Sequence, residues 1–475
     1  MYSILNPMKS LTGLSIVVLL LFAACKKDSF ITSPDAQIRI TADTVKYDTL
    51  FASAGSVTQA FKIINGNDQK LRLTSVKLMG GTGSFYSINA DGISGPEVTG
   101  LEIAANDSLY VFVQVNIDPT TGNLPFVIRD SIKVNFNGNA KQVQLEAWGR
   151  NAHFFRNKEI TSDETWENDL PYVILGYLHV NTGSTLTIGK GSSVYVHADA
   201  PIVVDGSLKV NGEKDSADRV YFRGDRLDEP YTNYPAAWPG IYFRDNSQDN
   251  IFNYAVLKNA YQAIALQNPS INASPKLVLN ETIIDNAYDA GIIALHSSVY
   301  ATNCLVSNCG KNLVLAEGGD YSFTHCTVTS YSNSYILHKE PVLYLSNYLL
   351  ANNVVTARDL NAVFRNNIFW GENGTVEDEV LLTKDAGAAS NVVFDSNLWK
   401  VNTDPATAGA TVQNAINTQS PEFDSIDVNK RIYDFHLRNK NSPALNAGVA
   451  SSVTIDLDGN PRPVGLPDLG CYEKQ

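Results

Sequence analysis

Residues 281–330 read "ETIIDNAYDAGIIALHSSVYATNCLVSNCGKNLVLAEGGDYSFTHCTVTS". Within them "TIIDN" (282–286), "CLVSN" (304–308) and "CTVTS" (326–330) recur at a spacing of 22 residues. The same offset relates Ile292 to Val314 and Ile336, and Ala294 to Ala316. A period of this length that keeps short apolar runs in register predicts one solenoid turn per repeat. "NAYQAIAL" (259–266) and "NAYDAGIIAL" (286–295) repeat again, with an inserted loop between them. The texture starts near residue 170. "GSTLTIGKGSSVYVHADAPIVVDGSLKVNG" (183–212) consists of short β-favouring runs, each followed by a Gly or Asn turn. A parallel β-helix is the expected fold from there on.

The repeat also decides how the cysteines are read. Cys304 and Cys326 share one slot, which Ala255, Thr282, Asn367 and Asn397 fill in other turns. Such a slot takes a small or short polar residue at a corner, facing inward, where Cys behaves as a small apolar group. Turns stack about 4.8 Å apart. Equivalent side chains on stacked turns point the same way, which leaves their Cβ atoms slightly too far apart for a disulfide. His325 precedes Cys326 and points elsewhere, and Cys309 belongs to the next turn. Four ligands therefore do not converge as zinc requires.

Residues 35–150 have a different texture. "LYVFVQVNI" (109–117), "SIKVNFNG" (131–138) and "KQVQLEAWG" (141–149) alternate apolar and polar residues with period two, punctuated by Gly, Asn and Asp. An antiparallel β-sandwich is expected here, and it resembles the Ig-like modules of bacterial surface lipoproteins. The first 24 residues carry Lys9 and the apolar run "LTGLSIVVLLLFAAC" (11–25). The run is short for a membrane span and ends in small residues. "FAAC" (22–25) has the form of a bacterial lipobox, with Cys25 as the lipidated first residue of the mature chain and 25–34 as a polar tether. The chain then anchors to the outer membrane, on the cell surface or facing the periplasm. Net charge is −13, and no Lys/Arg-rich stretch interrupts it, so nucleic acid is a poor partner.

The repeats resemble the right-handed parallel β-helix family, the pectate-lyase-like superfamily. "GDRLDEPYTNYPAAWPGIYF" (224–243) resembles a segment of Bacteroidota β-helix lipoproteins. "SPALNAG" (442–448), "DLDGNPRP" (456–463) and "PDLGCYE" (467–473) resemble the closing segment called choice-of-anchor Q. The resemblance implies a right-handed parallel β-helix over 151–400 and a C-terminal cap over 401–475. It implies no single activity, because the superfamily holds lyases, hydrolases and non-enzymes.

Candidate chemistry is sparse. Glu281, Asn303 and His325 occupy one position on three turns and are expected as an outward, solvated ladder. As catalytic groups, Glu281 and His325 stand about 9.6 Å apart from stacking alone, long for concerted acid–base work. Asp225, Tyr231, Tyr234 and Trp238 lie on a proline-stiffened loop with Arg226, Asp228 and Glu229. They suit sugar contacts, or else serve as buried anchors. In the closing segment, Asp456, Asp458, Arg462, Asp468 and Glu473 suit a charge cluster that fixes the cap. The alternative is calcium held by Asp456, Asp458 and Asp468. The sequence therefore points to a non-catalytic binder of glycan or another extracellular ligand, needing no cofactor unless calcium. A polysaccharide lyase or glycoside hydrolase is the second reading. Oligomeric state is left open.

Overall fold

The computed structural model describes residues 29–51, 58–115, 126–150, 152–227, 231–437 and 441–475. The signal-like run, Cys25, Asp228 and Glu229 lie outside the described residues. The chain divides into two compact units, Met1–Asn151 and Ala152–Gln475.

The first unit is built from two β-sheets. One runs, in order, Ile38–Ile40, Thr58–Asn65, Ser108–Val115, Tyr86–Ala90 and Ile93–Ser94. The other runs Thr44–Phe51, Asn139–Arg150, Phe126–Phe136, Leu71–Leu78 and Glu97–Thr99, with Glu102–Ile103 also pairing to Leu71–Leu78. Pairing is antiparallel except between Thr44–Phe51 and Asn139–Arg150. Period-two alternation buries Leu109, Val111, Val113 and Val115 from a single strand. Tyr47, on the second sheet, donates its hydroxyl to the Val113 carbonyl of the first at 2.6 Å.

The second unit is dominated by one 26-stranded sheet in which strands pair, in parallel, with strands two to five further on, most often three. Three strands per turn and parallel stacking of successive turns are the pattern of a β-helix. One column of strands runs through Ala255–Lys258, Ile283–Asp285, Leu305–Ser307, Thr327–Tyr331, Ile368–Glu372 and Leu398–Trp399. Inward positions stack like on like. Phe252, Leu279, Ala301, Phe323, Phe364 and Phe394 form one file in register. The rings of Phe323, Phe364 and Phe394 are stacked 5.5 and 5.0 Å apart.

The corner before this column explains how the turns close. Tyr254, Glu281, Asn303, His325, Asn366 and Ser396 all take positive φ, between 46° and 57°. Each donates its backbone N–H to the carbonyl of the next turn. The chain changes direction there without interrupting the inter-turn ladder, which leaves no buried backbone donor unpaired. The slot that follows holds Ala255, Thr282, Cys304, Cys326, Asn367 and Asn397, in the register read from the sequence, and all six are buried. Cys304 and Cys326 are free thiols inside the core, as are Cys309 and Cys471 in their own places. Where the slot holds Asn, the amide takes over backbone duties. Asn367 accepts from the Cys326 N–H at 2.8 Å and donates to the Phe323 carbonyl at 3.0 Å. Asn397 accepts from the Asn367 N–H and side chain, both at 3.0 Å.

Two expectations need correction. The offset is 22 between Asp285 and Ser307 but 21 between Ala290 and Lys311, so Val314 pairs with Ile293 and not Ile292. The turn Asn286–Asp289 has four residues where Asn308–Gly310 has three. The missing residue is restored where Glu317 and Gly318 stand opposite His296. Ile336 lies in a loop, because Leu313 pairs with Leu343. The closing segment is also not laid over the last turn. The short 3-10 turn Pro405–Ala408, capped by Asp404, and buried Val401 and Ala410 pack there against the core. Residues 442–475 instead run along the side of the coils, with Ala444, Leu457, Leu469 and Cys471 packed on the outward face of Leu305, Ile368 and Leu398.

Asn367→Ala removes three buried side-chain hydrogen bonds, to the Cys326 N–H, the Phe323 carbonyl and the Asn397 amide. It is expected to lower stability by about 2–4 kcal/mol, against about 1 kcal/mol for Cys304→Ala. Urea unfolding of both variants measures the difference; equal losses would show that the slot only fills space.

Candidate functional site

The corner residues read as catalytic candidates lie under the lateral strap formed by residues 442–475. Glu281 and His325 are buried, not solvated, which corrects the expected open ladder. Asn303, between them, donates to Glu281 Oε1 at 3.0 Å and to the Ile455 carbonyl at 2.8 Å. Burial raises the Glu281 carboxyl above the usual carboxylate range, against the opposing pull of Asn303 and Arg219. His325 Nδ1 lies 3.2 Å from the Asp468 carbonyl, so that nitrogen carries the proton. Nε2 then accepts from Ser451 at 3.1 Å and from the Asn366 amide at 3.0 Å. This neutral ring has every partner it can use. Burial, reinforced by the Arg462 charge, pushes its pKa down to about 3. His325 holds the strap directly and Glu281 through Asn303, and both are buried beneath it.

The acids of the strap are similarly occupied. Asp456 accepts from the N–H groups of Asp458, Asn460 and Glu473 at 2.8–3.0 Å. Asp468 accepts from those of Asn446 and Lys474 at 2.6 and 2.8 Å. Arg462 pairs with Glu473 at 3.2 Å, both fully buried, and donates to the Gly470 carbonyl. Asp458 accepts from His436 at 2.9 Å and lies 3.7 Å from Arg219. Among the described residues, no group of three or more His, Cys, Asp and Glu is arranged to hold a metal ion.

The loop near 225–240 divides into two kinds of residue. Trp238 is fully buried and donates to the Lys258 carbonyl at 2.8 Å, so it is an anchor and cannot meet a ligand. Asp225 is nearly buried and tied to His197 Nδ1 at 2.7 Å. Tyr231 is exposed, with Arg226 3.8 Å above its ring, and Tyr234 packs between Tyr231 and Tyr335.

Beside those tyrosines the second unit has a cleft of about 670 Å³. Its floor is the outer face of Ile283–Asp285 and Leu305–Ser307, edged by Asn259, Asn286 and Asn308 at positive-φ corners. Asn286 donates to Asn259 at 2.7 Å, and Asn259 to the Thr232 carbonyl at 2.8 Å, which fixes the near wall. The far wall comes from Lys430, Arg431, Tyr433 and Tyr472. Arg431 donates to the Asn233 carbonyl at 2.9 Å and sits over Tyr335. Arg223 donates to the Tyr195 hydroxyl at 2.6 Å. Four cationic side chains, Arg223, Lys258, Lys430 and Arg431, thus face one carboxylate among the described lining residues, Asp285. Sequence reading passed over the 430–435 wall because nothing repeats there. The pair Lys430–Arg431 before an aromatic-rich strand was the available signal.

No family model matches the chain, and no curated protein does. Among solved structures, a protein of unknown function from Porphyromonas gingivalis is similar over 26% of this chain and 50% of its own, at 15% identity and a TM-score of 0.18. This chain therefore matches half the length of that protein. A PapD-like domain of human CEP192 is similar over 26% and 89%, at 10% identity and TM-score 0.17. A family 123 glycoside hydrolase from Clostridium perfringens is similar over 27% and 30%, at 12% identity and TM-score 0.19. Likeness this slight carries no argument about fold or function.

Two histidines make the strap's hold depend on pH in opposite senses. Hydrogen bonds to Asp458 and Asp434, against opposing burial, raise His436 from 6.5 to about 9. Its contribution is complete below pH 6.5 and is lost as pH rises through about 9. The depressed pKa of His325 has the reverse effect: its contribution is complete above pH 6.5 and is lost as pH falls toward 3. Melting temperature is therefore expected to peak near neutrality. His325→Asn should flatten the acid limb and His436→Gln the alkaline limb; limbs unchanged in both variants would remove the histidines from the account.

Proposed function

We propose that this is an exported, lipid-anchored protein of the right-handed parallel β-helix type that binds glycan without cleaving it. Cys25 carries the lipid and tethers the chain to the outer membrane. The first unit is an Ig-like sandwich, and the β-helix presents the binding surface. The polar cleft carries the reading. Tyr433 and Tyr472 offer aromatic surface, and Arg223, Lys258 and Arg431 offer donors, above a floor fixed by the turns themselves. Sugar recognition needs that combination of flat apolar faces and fixed polar groups. Glycoside hydrolysis needs two carboxylates at set spacing, and the described lining carries only Asp285. That residue is held by Ser307 at 2.8 Å and lies 3.6 Å from Lys258.

Native electrophoresis of the purified protein through gels containing mannan, laminarin, soluble starch, xylan or polygalacturonate tests the reading. Retardation is expected in at least one gel. Arg431→Ala should weaken it by about tenfold, with a melting temperature close to the parent's. New reducing ends or unsaturated product in the same mixtures would replace the binding reading with an enzymatic one. Free migration in every gel would sink both.

A further inference from the structure

The tripeptide Asn-Ala-Tyr occurs at 259–261 and again at 286–288, one turn later. Two of its three residues have a structural duty. Asn259 and Asn286 bond to each other, and Ala260 and Ala287 are fully buried. The next turn places Asn308, which bonds Asp285 and the Tyr331 N–H, and buried Cys309 at the same two positions. The tyrosines have no such duty. Tyr261 is 44% exposed and Tyr288 52%, although both sit on rigid corners of the coil. Their rings stack at 6.0 Å and 26°, so Tyr261 covers one face of Tyr288.

The other face of Tyr288 is left open by the chain itself. The third turn brings Gly310 to this place, donating its N–H to the Ala287 carbonyl. A Cβ at Gly310 would lie 2.3 Å from the Tyr288 carbonyl oxygen, so no side chain fits there to extend the stack. Polar groups border the open face. Lys311 pairs with Asp289 Oδ1 at 3.0 Å, and Gln262 donates to Asp289 Oδ2 at 2.7 Å. Burial opposes ionisation of Asp289, but those two bonds hold its carboxyl below the usual range, so it stays an acceptor. A flat aromatic face beside a fixed acceptor and a half-exposed ammonium matches a sugar ring, which has C–H groups on its face and hydroxyls around its rim.

We infer that Tyr288, backed by Tyr261 and bordered by Asp289 and Lys311, is a second carbohydrate subsite that takes a pyranose ring on the face left open above Gly310. The subsite rests on the glycan-binding reading but lies outside the cleft, since neither tyrosine lines it.

The test uses full-length protein in the same polysaccharide gels, with Tyr288→Ala, Tyr288→Leu, Tyr288→Phe and the cleft variant Arg431→Ala. Loss of one stacking contact is expected to weaken retardation by about five- to tenfold in Tyr288→Ala and Tyr288→Leu. Tyr288→Phe should stay near the parent, because the ring and not the hydroxyl is the platform. Melting temperatures separate binding from a purely structural stack, since the exposed ring should cost little stability in any variant. If Arg431→Ala loses binding while Tyr288→Ala and Tyr288→Leu match the parent, the subsite is wrong and the cleft reading stands. If Tyr288→Phe loses as much as Tyr288→Ala, the stacking account is overturned. If the parent migrates freely in every gel, the glycan reading falls and takes the subsite with it.

Discussion

Continuity of the inter-turn hydrogen-bond ladder through the corners is the constraint on which the second unit depends. A parallel coil keeps its backbone satisfied only if each corner residue still faces the turn above. Six corners achieve this with a positive φ, at Tyr254, Glu281, Asn303, His325, Asn366 and Ser396. A non-glycine residue resists that conformation, and Asn tolerates it best. Tyr, Glu and His are therefore unexpected occupants, and the structure supplies their compensation. Glu281 and His325 are bonded to the lateral strap or to a corner residue that is, and Tyr254 lies beneath Arg219, whose charge sits 5.3 Å from its ring.

The corners therefore do more than turn the chain. Three of them, Asn303, His325 and Asn366, are the attachment points for residues 442–475. A strap held by polar groups gains most where those groups are satisfied, because a buried unpaired group costs more than a made bond returns. The neutral tautomer of His325, with one donor and one acceptor site both used, meets that condition. So do Asp456 and Asp468, which take up the N–H groups of turns that would otherwise be buried without partners. The apolar contribution comes from Leu457, Leu469 and Cys471 against Leu305 and Ile368.

What could be read from the sequence follows from the range of each interaction. The slot of Cys304, Cys326, Asn367 and Asn397 was legible because stacking forces equivalent residues into register, which leaves a repeat. The pairing of Ile292 was misread by one residue because a shortened turn at Asn308–Gly310 preserves the ladder while breaking the count. The fate of Glu281 and His325 was not legible at all. It depends on contacts such as Asn303 to Ile455, 152 residues apart, and an unrepeated segment gives no register to follow. Trp238 was ambiguous for a different reason. An aromatic in a stiff loop serves as anchor or platform equally well in sequence, and only burial separates the two.

The same logic locates the chemistry. A regular coil offers only shallow, repeating surfaces, because neighbouring turns hold each strand on both sides. Depth has to come from segments that leave the register. The cleft follows this rule. Its floor is regular strand, but its walls are Thr232–Asn233, Asn333 and the 430–435 stretch, all of them departures from the repeat. The Tyr261–Tyr288 pair follows it in a milder form, because the stack ends where the next turn drops one residue and places Gly310 beside Tyr288. Both proposed sites thus lie where the coil breaks its own period, above turns that keep it.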